Sequence, residues 1–446
     1  FFARLNYDYK GKYLLELAGR YDGSSRFAPG SRWGFFPSGS IGWRISEEDF
    51  FASAKNVVNN LKVRASLGSL GNQNVGYYSY LRTINLAYFD GGDSGYRKFS
   101  FGEGSSLPRY SSLSSPISSD LTWETSQQYN VGVDLAMFNN RFEVTAEAYI
   151  RDTKDMLTDG VALPSVYGAS EPDMNAADLR TKGYELAIGW RDQVTLFGKP
   201  FGYNVGATLS DFRTVITKYD NKEYTFAKDY YEGMVLGEIW GFEIDGLFQS
   251  DAEAQAYAKE VDLGYINKRL YGGWLAGDPK YVDLDKNGII SVGSNTVKNP
   301  GDRRILGNSI ASLQYGITAG FDYLGIDFSI FLQGTGNHYW YPNDESMAFW
   351  GPYSRPYCTY LPYDFLDNVW SEENPDAYFP RPRGYAALNT ANGSLYYTND
   401  RYLQNLAYLR LKNLTFGYTF PEKWMSKAGI SKLRLYFSGE NLWTWS

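Results

Sequence analysis

The chain has 446 residues and a formal net charge of −7, with Lys and Arg dispersed among the acids, so no basic patch offers itself to nucleic acid. Its mean hydropathy is −0.41, and no stretch approaches the ~18 apolar residues of a membrane-crossing helix. One cysteine, Cys358, excludes an internal disulfide framework, and one histidine, His338, argues against a His-based metal site or a Ser–His triad.

From the first residue the chain alternates apolar and polar side chains. Phe1-Phe2-Ala3-Arg4 already lies within the pattern, without signal peptide or initiator Met, so the chain reads as a piece of a longer precursor. The period of two predicts strands at 1–10, 12–22, 33–45, 61–71, 121–138, 141–157, 180–192, 200–215, 311–323, 326–337, 405–420 and 432–444. Every odd-numbered join is short: Gly11-Lys12, 46–60, Asn139-Asn140, 193–199, Leu324-Gly325 and 421–431. The Asn-Asn and Leu-Gly pairs suit hairpin turns that need positive φ. Within 46–60, Ser46 followed by Glu47-Glu48-Asp49 predicts a helical turn with Ser46 as its N-cap. The even-numbered joins are 23–32, 72–120, 158–179, 216–310 and 338–404, and all but the first are longer than any odd-numbered one.

Facing follows from the same alternation. In 141–151, Phe142, Val144, Ala146, Ala148 and Ile150 point one way, against Glu143, Thr145, Glu147, Tyr149 and Arg151. Tyr184, Leu186, Ile188 and Trp190 oppose Glu185 and Arg191; Tyr315, Ile317, Ala319, Phe321 and Tyr323 oppose Gly316, Thr318, Gly320 and Asp322. Between Leu409 and Leu414 the apolar phase slips by one, which predicts a β-bulge at Lys412 or Asn413. Strands with one oily and one wet face, aromatic ends, and long connections confined to one rim describe an antiparallel transmembrane β-barrel, an all-β fold. Only closed sheets and helices satisfy their backbone polar groups in lipid, and the helices are excluded. The expected extracellular loops are 72–120, 216–310 and 338–404, and the expected wet lining includes Arg20, Glu143, Glu147, Glu185, Arg191 and Asp322. A secreted β-rich binding or adhesion module is the alternative from another class.

Several stretches resemble SusC-like (RagA-like) TonB-dependent transporters: Gly19-Arg20-Tyr21-Asp22-Gly23-Ser24-Ser25-Arg26-Phe27, Trp33-Gly34-Phe35-Phe36-Pro37-Ser38, Ile41-Gly42-Trp43-Arg44, Leu61-Lys62-Val63-Arg64-Ala65-Ser66-Leu67-Gly68 and Trp123-Glu124-Thr125-Ser126. Arg410-Leu411-Lys412-Asn413-Leu414-Thr415-Phe416-Gly417-Tyr418 and Ser438-Gly439-Glu440-Asn441-Leu442 look like the last strands of that family. The resemblance implies an outer-membrane importer with a barrel of about 22 strands, an N-terminal plug, a SusD-like surface lipoprotein as lid, and energy from the TonB–ExbB–ExbD complex. The strands seen would then be the tenth to the twenty-first, with plug, TonB box, first strands and last strand outside the chain. Oligosaccharide or peptide is the implied cargo; a lid-less siderophore or cobalamin receptor is the rival within transport.

Two constellations remain. Asp283-Leu284-Asp285-Lys286-Asn287-Gly288 resembles the opening of a calcium loop, in which Asp283, Asp285 and Asn287 converge on a hard cation. The twelfth position is Ser294 instead of a bidentate Glu, and Asp302 substitutes only by looping back, so a polar turn without metal is the competing reading. No other cofactor is expected. The segment 338–365 carries aromatic side chains on a wet loop. Trp340, Trp350 and Tyr353 are its candidate anchors for a lid or a substrate, and mutual packing is the competing reading. His338 and Cys358 are read as structural. Glu47-Glu48-Asp49 and Glu372-Glu373 are solvated clusters, since adjacent carboxylates on one turn diverge rather than flank a substrate. No enzymatic activity is expected.

Overall fold

A computed structural model describes residues 1–88, 109–114, 116–118, 121–159, 166, 172–267, 270–354 and 361–446. Cys358, Tyr357 and Tyr360 lie outside the described residues, as do most of the join after 159 and the middle of 72–120. Twelve strands form one antiparallel sheet in which every strand pairs with its sequence neighbour: β1 (Phe2–Tyr9), β2 (Tyr13–Gly23), β3 (Trp33–Arg44), β4 (Val58–Asn72), β5 (Glu124–Met137), β6 (Phe142–Asp159), β7 (Asp173–Leu196), β8 (Lys199–Lys218), β9 (Leu313–Tyr323), β10 (Ile326–Gly336), β11 (Tyr408–Thr419) and β12 (Arg434–Trp445). These are the twelve segments that the alternation marks. No described helix is long and apolar enough to cross a membrane.

The hairpin turns follow their sequence. Asn139 and Asn140 take φ of 60° each, and Leu324-Gly325 takes 51° and 86°. The first turn sits one residue earlier than expected: Lys10 and Gly11 carry the positive φ, and Lys12 N–H bonds back to the Tyr9 carbonyl at 3.0 Å. The bulge is where the phase slip puts it. Leu411 pairs with Trp443 and Asn413 with Glu440, leaving Lys412 outside the ladder.

Two expectations are corrected. Ser46 is not an N-cap; the short helix is Ile45–Glu47, begun by Arg44, and the Ser46 hydroxyl is buried without a partner. What holds this segment is Lys12, whose ammonium bridges Glu48 and Asp49 at 3.2 Å each. The join expected at 158–179 is shorter, because β6 and β7 run to 18 and 24 residues. The ladder continues past a positive φ of 55° at Asp155, with Leu157 opposite Asn175. Its residues there are Asp, Asn, Thr and Lys, which hide the alternation. The long connections are folded.

Joins 219–312 and 337–407 build one body. The first contributes a capped helix, α1 (Asp251–Glu260), in which Ser250 accepts from Glu253 N–H and Glu253 accepts from Gln249 N–H. It also pairs Glu238–Phe242 with Arg303–Asn308. Phe242, Phe248, Tyr281 and Ile290 are fully buried, and Tyr397 of the second join packs on them. Leu247 and Ala276 meet Trp370 and Ala377 in a second shared core. Backbone bonds cross as well: Phe242 N–H donates to Thr398 O and Arg381 N–H to Gly277 O. The strongest tie is ionic. Arg383 Nε and Nη2 reach the two oxygens of fully buried Asp278 at 2.8 and 2.6 Å, while the same guanidinium bonds the carbonyls of Tyr271 and Gly273.

Two tests follow from this arrangement. Arg at Ile317 or Ile188, both on the lipid face, should impair membrane assembly by roughly 2–4 kcal/mol near the midplane, while Thr318→Arg on the other face should be milder; heat-modifiable gel mobility reads the difference. Arg383→Met leaves Asp278 buried and unpaired, a cost of about 3–5 kcal/mol. Limited proteolysis of that variant should cut both joins together and spare the strands.

Candidate functional site

One face of the sheet is hollow and wet. Arg4, Glu16, Arg20, Asp22, Ser38 and Asn130 line its first hollow, and Glu143, Thr145, Thr208 and Thr318 line another further round. On the opposite face, aromatic rings gather at two heights. Near the hairpin turns are Tyr9 and Tyr13, Phe138 and Phe142 against Trp190, and Phe201 with Tyr203, Phe321 and Tyr323. Toward the long joins are Tyr21 stacked on Trp33 at 5.0 Å, and Trp443 with Trp445. Two aromatic belts flanking an apolar band mark the two interfaces of a bilayer.

The wet face is a mosaic of paired and unpaired charge. Arg20 Nε meets Asp22 at 2.6 Å and Arg4 faces Glu16 at 3.5 Å. Glu147 binds Arg64 at 2.6 Å, and Arg64 also reaches Asp134 at 3.4 Å. Asp327 takes both arms of Arg434, at 2.9 and 2.6 Å. Glu143, Glu185, Arg191 and Asp322 have no side-chain bond or ion pair among the described residues. Two of them oppose like charge in register: Glu185 stands across from Glu147, and Asp322 from Asp327. Beside them runs a smooth strip, Gly189, Gly206, Thr208, Gly316, Thr318 and Gly320, whose small side chains leave the backbone open to close approach. Alternation foretold this strip's facing but not its continuity across strands.

The aromatic anchors divide. Trp340 is 43% exposed. Trp350 and Tyr353 are not surface residues: the Trp350 indole donates to Pro342 O and packs edge-on to Tyr402, and Tyr353 stacks on Phe379. They fold the loop, as rings brought together from 341 to 402 bury their apolar surface on each other. Among the described residues of this join Tyr363, Tyr385 and Tyr396 are exposed like Trp340, as is Leu366, and no local pattern distinguishes them from the buried ones.

The acidic turn also differs from its expectation. Asp283, Asp285 and Asp302 bring carboxylate oxygens within 4.8 Å of one another. Asn287 is turned to the backbone, its Oδ1 accepting from Ile289 N–H and its amide donating to Asp285. Asp302 does loop back, fully buried, accepting from Leu284 and Ser291 N–H at 2.8 Å each. Burial pushes its carboxyl above the usual carboxylate range; these N–H donors counter that and the charge of Asp285 adds to it.

Comparison with known proteins agrees with this geometry. TonB-dependent receptor P3 of Formosa agariphila is 29% identical over 457 residues, covering 100% of this chain and 41% of that protein. The TonB-dependent receptor SusC of Bacteroides thetaiotaomicron is 27% identical, covering 96% of the chain and 38% of its own length. The RagAB peptide importer in its closed-closed state superposes with a TM-score of 0.71 at 20% identity, over 100% of this chain and 44% of that one. The chain therefore spans about two-fifths of the length of the relatives it matches. The family described as TonB dependent receptor-like, β-barrel matches residues 1–442, and with its apolar band between two aromatic belts the chain belongs to that family of outer-membrane β-barrels.

Proposed function

We propose that this chain is the C-terminal barrel portion of a SusC-like importer that takes up oligosaccharides or peptides with a SusD-like lipoprotein as lid. The observation that carries the reading is the inward wall: a largely polar lining on which Glu143, Glu185, Arg191 and Asp322 have no ion pair among the described residues, beside a smooth Gly/Thr strip. Unpaired charges on such a wall are tolerated where water or a polar body meets them, and the strip supports close packing of a plug. β1 and β12 do not pair with each other, and open sheet edges are not sustained in lipid. Strands before β1 and after β12 complete the barrel in this proposal, and TonB–ExbB–ExbD drives the plug. Family members transport and do not catalyse, so no residue is given a catalytic role.

The shared body of joins 219–312 and 337–407 is the lid platform, with exposed Trp340, Tyr363 and Leu366 as its anchors. Deleting one join would strip the core of the other, so point substitutions are the cleaner test. In the full-length protein, Tyr363→Asp with Leu366→Asp should lower retention of the lipoprotein in pull-down by about tenfold or more, as loss of a hot spot does, with heat-modifiable mobility unchanged. Undiminished retention would move the platform elsewhere.

The proposal includes a calcium ion at Asp283, Asp285 and Asp302, where oxygen donors of a hard-cation type converge. The ion would stiffen join 219–312 and take no part in transport. Chelator should then raise proteolysis of this join, and added calcium should restore resistance. Equal cleavage in both conditions would assign the carboxylates to their backbone N–H groups alone.

A further inference from the structure

Charge on the lipid-facing side of the upper wall is gathered into one arc. On β1–β5 and β9–β12, the outward positions toward the long joins hold residues such as Leu17, Tyr21, Phe35, Leu67, Tyr129 and Tyr315; Lys412, at the β11 bulge, is the charged residue there among those described. β6, β7 and β8 differ. Above outward Ile150, Tyr184 and Leu209 come Asp152 and Lys154, Arg180 and Lys182, and Asp211 and Arg213.

Their pairing leaves positive charge over. Arg180 is held by Asp152 in a two-armed bond of 2.6 and 2.9 Å. Asp211 turns its Oδ1 to the Phe212 N–H at 2.9 Å. Lys182 stands in register with Ile150 on one side and with Arg213 on the other. Neither Lys182, Arg213 nor Lys154 has an ion pair among the described residues, and all three are exposed. Like charges directly opposite on one sheet face are destabilising, unless an anion sits between them.

The height of the arc names the anion. Asp192, the next outward charge along β7, is about ten residues from Lys182. At ~3.3 Å per residue and a tilt of about 40°, that is roughly 25 Å along the membrane normal, the height of an apolar barrel band. Lys182 and Arg213 therefore stand at the headgroup level of the outer leaflet, with Tyr184 just beneath them. A second copy of this chain presenting the same arc would meet it with like charge. We propose that Lys182 and Arg213, flanked by Lys154, seat the phosphate of an outer-leaflet glycolipid, through charge-assisted hydrogen bonds with its acyl chains lying along Ile150, Tyr184 and Leu209.

Native mass spectrometry of the full-length protein, with its bound lipoprotein if present, tests this with monophosphoryl lipid A and the same lipid dephosphorylated. Wild-type protein should retain the phosphorylated lipid about tenfold better, in keeping with two charge-assisted contacts. Lys182→Gln with Arg213→Gln should bring the two lipids level, while Lys182→Arg keeps the preference; unchanged heat-modifiable mobility shows that all variants are assembled. A preference that survives the double substitution, equal retention of both lipids by the wild type, or displacement of the lipid by millimolar inorganic phosphate would each overturn the proposal. So would a double variant whose oligomeric state changes while its lipid preference does not.

Discussion

Every backbone N–H and C=O within a bilayer must find its partner inside the protein, because hydrocarbon offers none. The unbroken order of the twelve-stranded sheet answers that constraint: each strand pairs with its neighbour in sequence, and no crossover interrupts the ladder. Pairing of this kind fixes the side-chain period at two, so a single register decision sorts the whole chain into a lipid face and a wet face. The slips at Lys412 and Asp155 lie toward the long joins and the one at Asn59 beside a short join, each toward a strand end.

With the lower rim reduced to short joins, most of the structural variety is left to the long ones. Their folding follows a different physics from that of the strands. The body made by 219–312 and 337–407 has its own apolar cores, a capped helix and a buried ion pair, much as a small soluble domain has. The Arg383–Asp278 pair is costly to bury, and its geometry offsets the cost through extra carbonyl bonds to the same guanidinium. A loop body fixed in this way presents a defined surface, which a partner can bind without ordering a floppy segment first.

Charge is distributed by the same logic. On the inward wall it is plentiful, partly paired and partly open, as suits a face met by water or by polar cargo. On the outward wall it is excluded from the band between the aromatic belts and reappears on β6–β8, the strands that extend furthest. In the importer proposed above, the inner face would bear on what passes and the outer one on which lipids surround the barrel.

The period of two was enough to locate all twelve strands, their facing and the bulge at Lys412, because each is a local consequence of alternation along one segment. The Asn139-Asn140 and Leu324-Gly325 turns were legible for the same reason, positive φ being a property of the residues themselves. The Ser250–Glu253 capping box was equally legible in principle, as a four-residue signature. What the sequence could not decide was which aromatics of 338–404 are core and which are surface. Trp350, Tyr353, Trp340 and Tyr363 look alike along the chain, and only partners brought in from up to residue 402 separate buried from exposed. The acidic turn teaches the same lesson. Asn287 sits at the expected spacing yet serves the backbone, while Asp302 arrives from outside the motif. Residues such as Asp278 and Arg383, 105 positions apart, meet only once the strands between them are in register, and so their pairing belonged to the tertiary structure alone.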